Sequence, residues 1–436
     1  MKKFFAGDEG YDSEIAGFQT AVRHRPAVVV AASSADDVVE AVRLARARGA
    51  RVAVQATGHG ARSPADGVLI TTRRMSGVRI DPVARTAWVE AGVRWSAVIE
   101  KAAEHGLAPL AGSSPGVGAV GYTVGGGVGL LGRTFGYAAD HVLALDVVTA
   151  DGRLRHVTAS SEPDLFWALR GGGELLGVVT GMEVELVSVP VVYGGGLHFD
   201  ASHAADVLTE FRALTLAAPE TLTASVGMVG LPPVDAVPEP LRGKHVLHVR
   251  LASTVPLDAA PLAPLRAIGP LVDRVGEVPA AEVGSIYGDP DFPHAYVGDN
   301  VLLSELPPAL LDSVRTLAGP SAPVPCVVDI RQLGGAMARA PEVPNAVPYR
   351  EAAYILRVLS PAGDVDAARA VHHAVFAAAS SVAVGRASTF GYGPVDDDPS
   401  LPALRDPATA ARLAQVREEV DPDGVFLSVV DANICS

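Results

Sequence analysis

A chain of 436 residues is long enough for two domains, or three at most, at about 100–200 residues each. With 49% hydrophobic and 19% charged residues it can bury a sizeable core, which excludes global disorder. A net charge of −14, from 49 acids and 35 bases, is wrong for a phosphate-backbone binder, so nucleic acid is not an expected partner.

The opening MKKFFAGDEGYD has basic residues but no long apolar run before Asp8 and Glu9, so it makes a poor signal peptide. Residues 26–31 (PAVVVA) predict a short buried strand. Ser34, with Asp37 three residues on, predicts a capped helix whose apolar positions Val38, Val39, Val42, Leu44 and Ala45 recur at helical spacing, and Gly49 ends it. Residues 51–55 (RVAVQ) predict a second strand. This βαβ opening runs at once into the turn Thr57-Gly58-His59-Gly60. Strands are expected at 67–71 and 86–91, and a helix over 93–105 buries Trp95, Val98, Ile99 and Ala102 before Gly106 stops it. After a glycine-rich stretch, 143–149 and 154–157 form a hairpin around Asp151-Gly152. A short helix at 164–169 and a strand-rich exit at 177–186 follow. Near Pro190 glycine clustering thins and proline rises. Residues 191–390 read as alternating strands and helices, the longer helices at 201–216 and 360–380, with a surface loop at 231–240. A last helix over 408–419 leads into the turn Asp421-Pro422-Asp423-Gly424.

The stretch 112–129, GSSPGVGAVGYTVGGGVG, carries the chemistry. Eight of its 18 residues are glycine. Glycine lets backbone N–H groups approach an anionic or planar ligand closely, and the apolar residues between them rule out a flexible linker. A phosphate-binding P-loop would need Gly-Lys-Ser/Thr, and no lysine is near. A Rossmann fingerprint would need a strand just before Gly125-Gly126-Gly127 and an acid about 20 residues after, which this context does not offer. The nucleophile-elbow match Gly112-Ser113-Ser114-Pro115-Gly116 fails because Pro115 has no N–H for an oxyanion hole, and the glycines beyond it make a poor helix. Residues 106–132 are uncharged for long enough to span a bilayer but are broken by prolines and glycines, so no membrane span is expected. His372-His373 point apart on a helix, and His245 and His248, three apart in a strand, face opposite sides. No metal site is expected. Cys326 and Cys435 form neither a metal pair nor a disulfide framework, which fits a cytoplasmic protein.

These residues together resemble the vanillyl-alcohol oxidase and p-cresol methylhydroxylase superfamily, in particular the berberine-bridge-enzyme-like FAD-linked oxidases of bacteria. The resemblance rests on Tyr11-Asp12, Arg25-Pro26, Thr57-Gly58-His59-Gly60, 112–129, 136–140, Val147 to Gly152, Pro163 to Gly173 and Gly177 to Thr180. It continues in Arg331-Gln332-Leu333-Gly334-Gly335-Ala336, Tyr349-Arg350, Asp421-Pro422 through Phe426, and Asn433-Ile434. It implies an α+β, two-domain FAD-binding fold with an antiparallel-sheet substrate domain. The FAD-binding domain would span 1–190, with 395–436 returning to it, and the substrate-binding domain 191–394. The loop Ala56, Thr57, Gly58, His59, Gly60, Ala61 would wrap the FAD diphosphate, and His59 would be joined covalently to the flavin's benzenoid methyl. Further cofactor contacts are implied at Ser113, Ser114, Gly118, Gly121, Tyr122, Gly125, Gly126, Gly127, Asp140, Gly177, Val178, Val179 and Asn433. Some relatives have a second link through a cysteine. The matching position here is Ser114, so a single link is expected.

The chain also departs from the family pattern. Gly173 is followed by Glu174 where glycine usually stands, Gln55-Ala56-Thr57-Gly58 replaces an Arg-x-Gly-Gly, and Gly391-Tyr392 replaces an Asn-aromatic pair. The activity implied is an FAD-dependent oxidase of a small-molecule alcohol or secondary metabolite, with dioxygen as acceptor. A flavin dehydrogenase or a pocket for redox-neutral cyclisation is the alternative, and a flavin-free binding protein is disfavoured because His59 and the glycine stretch are kept. Hydride loss from carbon needs a proton acceptor facing the flavin. Tyr392, in the segment returning toward the cofactor, is the candidate base, ahead of Tyr349, Tyr354 and Tyr122.

Overall fold

The computed structural model describes residues 1–173, 175–394, 396 and 398–427. Glu174, Asn433, Ile434 and Cys435 lie outside the described residues.

The first sheet has four strands in the order Lys2–Phe4, Val28–Ala31, Val68–Thr71, Val52–Gln55, the last three parallel. Parallel strands need a covered crossover, and the helix Ala35–Arg48 provides it. Its start and stop are as the sequence dictates. Ser34 Oγ accepts from the Asp37 amide at 3.2 Å, and Gly49 closes the helix at φ 60°. Val38, Ala41, Val42 and Ala45 bury against Val28, Val30 and Ile70. The edge strand Val52–Gln55 takes its outer partner from the far end of the chain. The Val52 amide donates to Val425 O at 2.7 Å, and the Leu427 amide donates to Val52 O at 2.8 Å. Phe426 fills the same core.

A second, antiparallel sheet runs in the order Val78–Asp81, Thr86–Glu90, Val178–Glu185, Val142–Val148, Leu154–Thr158. The hairpin at its edge turns through Asp151-Gly152, with Gly152 at φ 71°. Its core holds Trp95, Phe166, Trp167 and Leu145, and accepts Leu413 and Val416 from the helix Pro407–Val420.

The third sheet is antiparallel and nine-stranded, and its strands all come from residues 191–385. Alternation along its central strands Val327–Gln332 and Tyr354–Pro361 separates two faces. Val328, Ile330, Leu356 and Val358 join Phe199, Phe211, Leu303 and Val375 in a core covered by the helices Ala204–Ala217, Pro308–Leu317 and Val365–Ala378. Val327, Arg331, Arg357 and Leu359 point the other way, into a cavity.

Three expectations change. The helix read over 360–380 begins at Val365. Ser360 and Pro361 finish a strand, and Asp364 caps the helix by accepting from the Ala367 amide at 3.0 Å. The helix read from 201 opens with a 3-10 turn, Ala201–His203, before Ala204. The glycine stretch contains a helix after all, Ala119–Val124, held by burial of Ala119, Val120 and Thr123 and by the Thr123 hydroxyl bonded to Ala119 O at 2.8 Å. Among the described residues no helix is long and apolar enough to cross a membrane, and no His/Cys/Asp/Glu cluster is suited to a metal. His248 stacks on His198 across the sheet at 3.8 Å.

Candidate functional site

The three sheets converge on a cavity of about 870 Å³. Its wall on the first-sheet side begins where the strand Val52–Gln55 ends, so Ala56, Thr57, Gly58, His59, Gly60 and Ala61 all line it. Gly58 has φ 74°, and a Cβ there would meet Gly17 Cα at 2.8 Å, so only glycine fits the turn. The carbonyls of Thr57 and Gly58 accept from the amides of Phe18 and Gln19 at 2.9 and 3.1 Å. The N–H groups of Thr57, Gly58, His59, Gly60, Ser113 and Ser114 have no protein partner among the described residues. A row of unpaired amides following a parallel strand is an anion cradle, and it fits a diphosphate.

His59 is fixed in this wall. Its ring stacks on Phe18 at 3.8 Å and 12°, and its Nδ1 hydrogen-bonds the Thr57 hydroxyl at 2.8 Å. Its Nε2 is buried with no partner. Burial, helped by the nearby Arg94 and His294 charges, lowers its pKa from 6.5 to about 4. The imidazole is therefore neutral at pH 7 and keeps a lone pair or N–H that no protein group takes up. Such an orphaned atom calls for a partner the protein itself does not provide.

Ser113, Ser114, Gly118, Gly121, Tyr122 and Gly125 also line the cavity, as do Gly177, Val178 and Val179 at the start of the strand Val178–Glu185. The Tyr122 hydroxyl is buried and unpartnered, and burial pushes its pKa up. Three expected contacts lie elsewhere. Gly126 and Gly127 sit behind the wall, where their carbonyls accept from Ala139 and Ala138, and a Cβ on Gly127 would strike Ala138 and Tyr122 at 2.6 and 2.7 Å. Asp140 is committed to structure. It caps the Tyr137 amide at 2.9 Å, accepts from Asn345 Nδ2 at 2.7 Å and pairs with Arg350. Asn433 lies outside the described residues.

Tyr392 lines the opposite wall, bridged to Gly298 by two backbone hydrogen bonds of 2.9 and 3.1 Å. Its hydroxyl accepts from Arg357 Nη1 at 3.1 Å, and its ring lies 5.4 Å from that of Tyr296. Burial raises its pKa above 10, and the Arg357 charge and hydrogen bond only partly offset this. A base role required the opposite shift, so the hydroxyl is protonated near neutrality. Gly391 before it has a steric cause: a Cβ there would overlap the Arg62 guanidinium, which is bonded to Asp299 at 3.1 Å. Tyr349 and Tyr354 do not line the cavity, and Tyr354 spends its hydroxyl on Thr215 at 2.8 Å.

Sequence reasoning missed Phe18, Asp289, Tyr296 and Arg357 as cavity residues. Asp289 accepts from the Ser113 hydroxyl at 2.6 Å, and Tyr296 donates to the His59 carbonyl at 3.2 Å. Only the alternation within strands could have flagged Arg357, since it shares a face with Leu359 and Ile355.

Residues 26–158 match the family described as FAD binding domain. The chain is 34% identical over 189 residues to (R)-6-hydroxynicotine oxidase of Paenarthrobacter nicotinovorans, covering 43% of this chain and 41% of that protein. It is also 34% identical over 174 residues to cannabidiolic acid synthase-like 1 of Cannabis sativa, covering 38% of this chain and 32% of that one. The matched segment thus spans less than half of either relative. Over whole structures, 6-hydroxy-D-nicotine oxidase from Arthrobacter nicotinovorans superposes with a TM-score of 0.83 at 23% identity, covering 98% of this chain and 96% of the other. A berberine-bridge-enzyme-like protein of Physcomitrella patens gives 0.79 at 18%, with 98% and 95% covered. At those identities the superpositions speak to fold, and the matched FAD-binding segment speaks to ancestry. Residues 26–158 thus match an FAD-binding domain, and the chain as a whole has the fold of the 6-hydroxynicotine oxidase and berberine-bridge-enzyme-like structures.

Proposed function

We propose that this chain binds FAD along the cavity, links it covalently through His59, and oxidises a small organic molecule by two electrons, with dioxygen as the final acceptor. The observation that carries the reading is the His59 ring: clamped by Phe18, neutral, and with Nε2 unpartnered in a wall of unpaired amides. FAD, when bound, supplies the two-electron acceptor. The chain's own part is placement and charge.

The amides of 57–60 and 113–114 hold a diphosphate with dipoles rather than side-chain charge. Thr57 fixes the His59 ring through Nδ1, which leaves Nε2 as the ring nitrogen that would meet the cofactor. Ser114 has no thiol, so one link is expected. Residues 1–190 with 395–436 form the FAD-binding part in this reading, and 191–394 the substrate-binding part. The large sheet forms the facing wall of the cavity, and the Tyr392 hydroxyl, oriented by Arg357, is placed to donate a hydrogen bond to substrate. Asp289 is the carboxylate on that wall able to accept a proton.

The test is the visible absorption spectrum of purified protein before and after acid precipitation. A flavin spectrum that stays with the pellet is the expected result, and flavin wholly in the supernatant removes the covalent link. Colourless protein that takes up no added FAD overturns the reading. Peroxide formation against reduction of an artificial dye separates oxidase from dehydrogenase.

A further inference from the structure

The face of the large sheet that meets the cavity carries more buried positive charge than its partners neutralise. Arg250, Arg331 and Arg357 surround one carboxylate, Asp329, at 3.0, 3.6 and 3.3 Å. Arg250, Arg331 and Asp329 are buried, Arg331 to 1% exposure, and the Arg357 side chain is nearly so at 12%. Asp289 is the next acid on the cavity wall, and its Oδ2 accepts from Ser113. Three guanidiniums against two carboxylates leave one positive charge in a site of low dielectric. Such a charge is costly to bury unless something pairs with it.

Arg331 Nε and Arg357 Nε make no hydrogen bond, Arg331 Nη2 has only its 3.6 Å contact with Asp329, and of the three arginines these two line the cavity. Both guanidiniums are steadied by the Phe390 ring, at 5.5 and 5.3 Å, and Arg331 also by Tyr287 at 4.8 Å. A planar fork held by aromatic rings beside a cavity, with N–H groups that no protein acceptor takes up, is matched by a planar oxyanion.

We propose that the substrate carries a carboxylate or a comparably delocalised oxyanion, which docks against Arg331 and Arg357. This rests on the cavity being the substrate site, as proposed above. It gives a task to the Arg331-Gln332-Leu333-Gly334-Gly335 segment, which positions a guanidinium at the centre of the sheet rather than serving only to pack it. It also makes Arg357 a shared element: one nitrogen orients Tyr392, and another edge of the same group meets the anion.

The test is calorimetric titration of the flavin-loaded protein with benzoate, and with benzamide as the neutral isostere. Benzoate should bind with a dissociation constant of about 1 mM or tighter, weaken as salt is raised, and exceed benzamide by at least about tenfold. Arg331→Met and Arg357→Met should each weaken benzoate by about tenfold or more. Should either variant fail to fold, Asp329→Asn decides, since it removes the shared counter-charge and should tighten benzoate several-fold. Benzoate binding no better than benzamide, or unchanged by these substitutions, overturns the proposal. So does an Arg331→Met protein that binds benzoate normally but loses flavin, because the arginine then serves the cofactor. A protein that binds benzoate as stated yet takes up no FAD refutes the proposed function and leaves the anion site standing.

Discussion

Tyr392→Phe is the sharpest probe of how this site handles a proton. The substitution keeps the ring against Tyr296 and deletes one hydroxyl, the acceptor of a 3.1 Å bond from Arg357. An ordinary phenol ionises near 10, and burial moves this one higher. At pH 7 fewer than about one molecule in 10³ would carry the phenolate. A base of that kind makes flavin reduction rise about tenfold per pH unit from 6 to 9, whereas a hydroxyl that donates a hydrogen bond leaves it flat. The structure favours the second behaviour. A hydrogen bond within a charged network is worth roughly 1.5–3 kcal/mol, so the phenylalanine variant should reduce its flavin about 10- to 150-fold more slowly at every pH. Rapid-mixing measurement of flavin bleaching by substrate, repeated across pH, reads both quantities. An unchanged rate in the variant would refute the reasoning and turn attention to Asp289. A steep rise with pH in the wild type would restore the phenolate as base.

Three other outcomes are expected. His59→Ala should bind FAD that is released on acid denaturation, while wild-type digests should yield one flavin-bearing peptide, containing His59; a second such peptide would contradict the role of Ser114. The folded pKa values of His198 and His372 are lowered from 6.5 to about 4 by burial. The unfolded chain therefore binds more protons between those values, so stability is full above pH 6.5 and falls as pH drops toward 4, by up to about 3 kcal/mol for each histidine. Urea midpoints that stay level from pH 7 to 4.5 would contradict this. Gly391→Ala should lower the melting temperature measurably, because the new Cβ overlaps the Arg62 guanidinium and forces it off Asp299; a variant melting with the wild type would show that Arg62 has room to yield.

The parts that could be read from sequence alone were governed by local rules. Ser34 and Gly49 bound their helix, Asp151-Gly152 turns its hairpin, and the amphipathic pattern of 93–105 buries Trp95. The cavity was half visible for the same reason, since 56–61 and 112–125 are continuous segments with unusual glycine content. What stayed hidden depends on register across strands far apart in sequence. Arg331 faces Ile355 and Asp329 faces Arg357 by pairing of Val327–Gln332 with Tyr354–Pro361. Nothing within either strand announces that its charged residues share a carboxylate. Asp140 misled for the complementary reason. The family resemblance implied a cofactor contact there, but its partners Asn345 and Arg350 come from some 200 residues away. Ser360 ended in a strand because pairing with Val297 outweighed its nearness to the helical pattern that starts at Val365.

The seam beside His59 bears on how the molecule is put together. Gln19 bridges His294, the Thr20 amide donates to His294 O at 3.1 Å, the His294 amide donates to Phe18 O at 3.1 Å, and Tyr296 reaches the His59 carbonyl. These contacts stitch the start of the chain to a loop almost 280 residues later, across the very ring that would carry the flavin. In the proposed reading the flavin sits against this ring, so the same few hydrogen bonds tie the cofactor's wall to residues 292–296 on the facing side, and the two sides of the cavity are held in one frame.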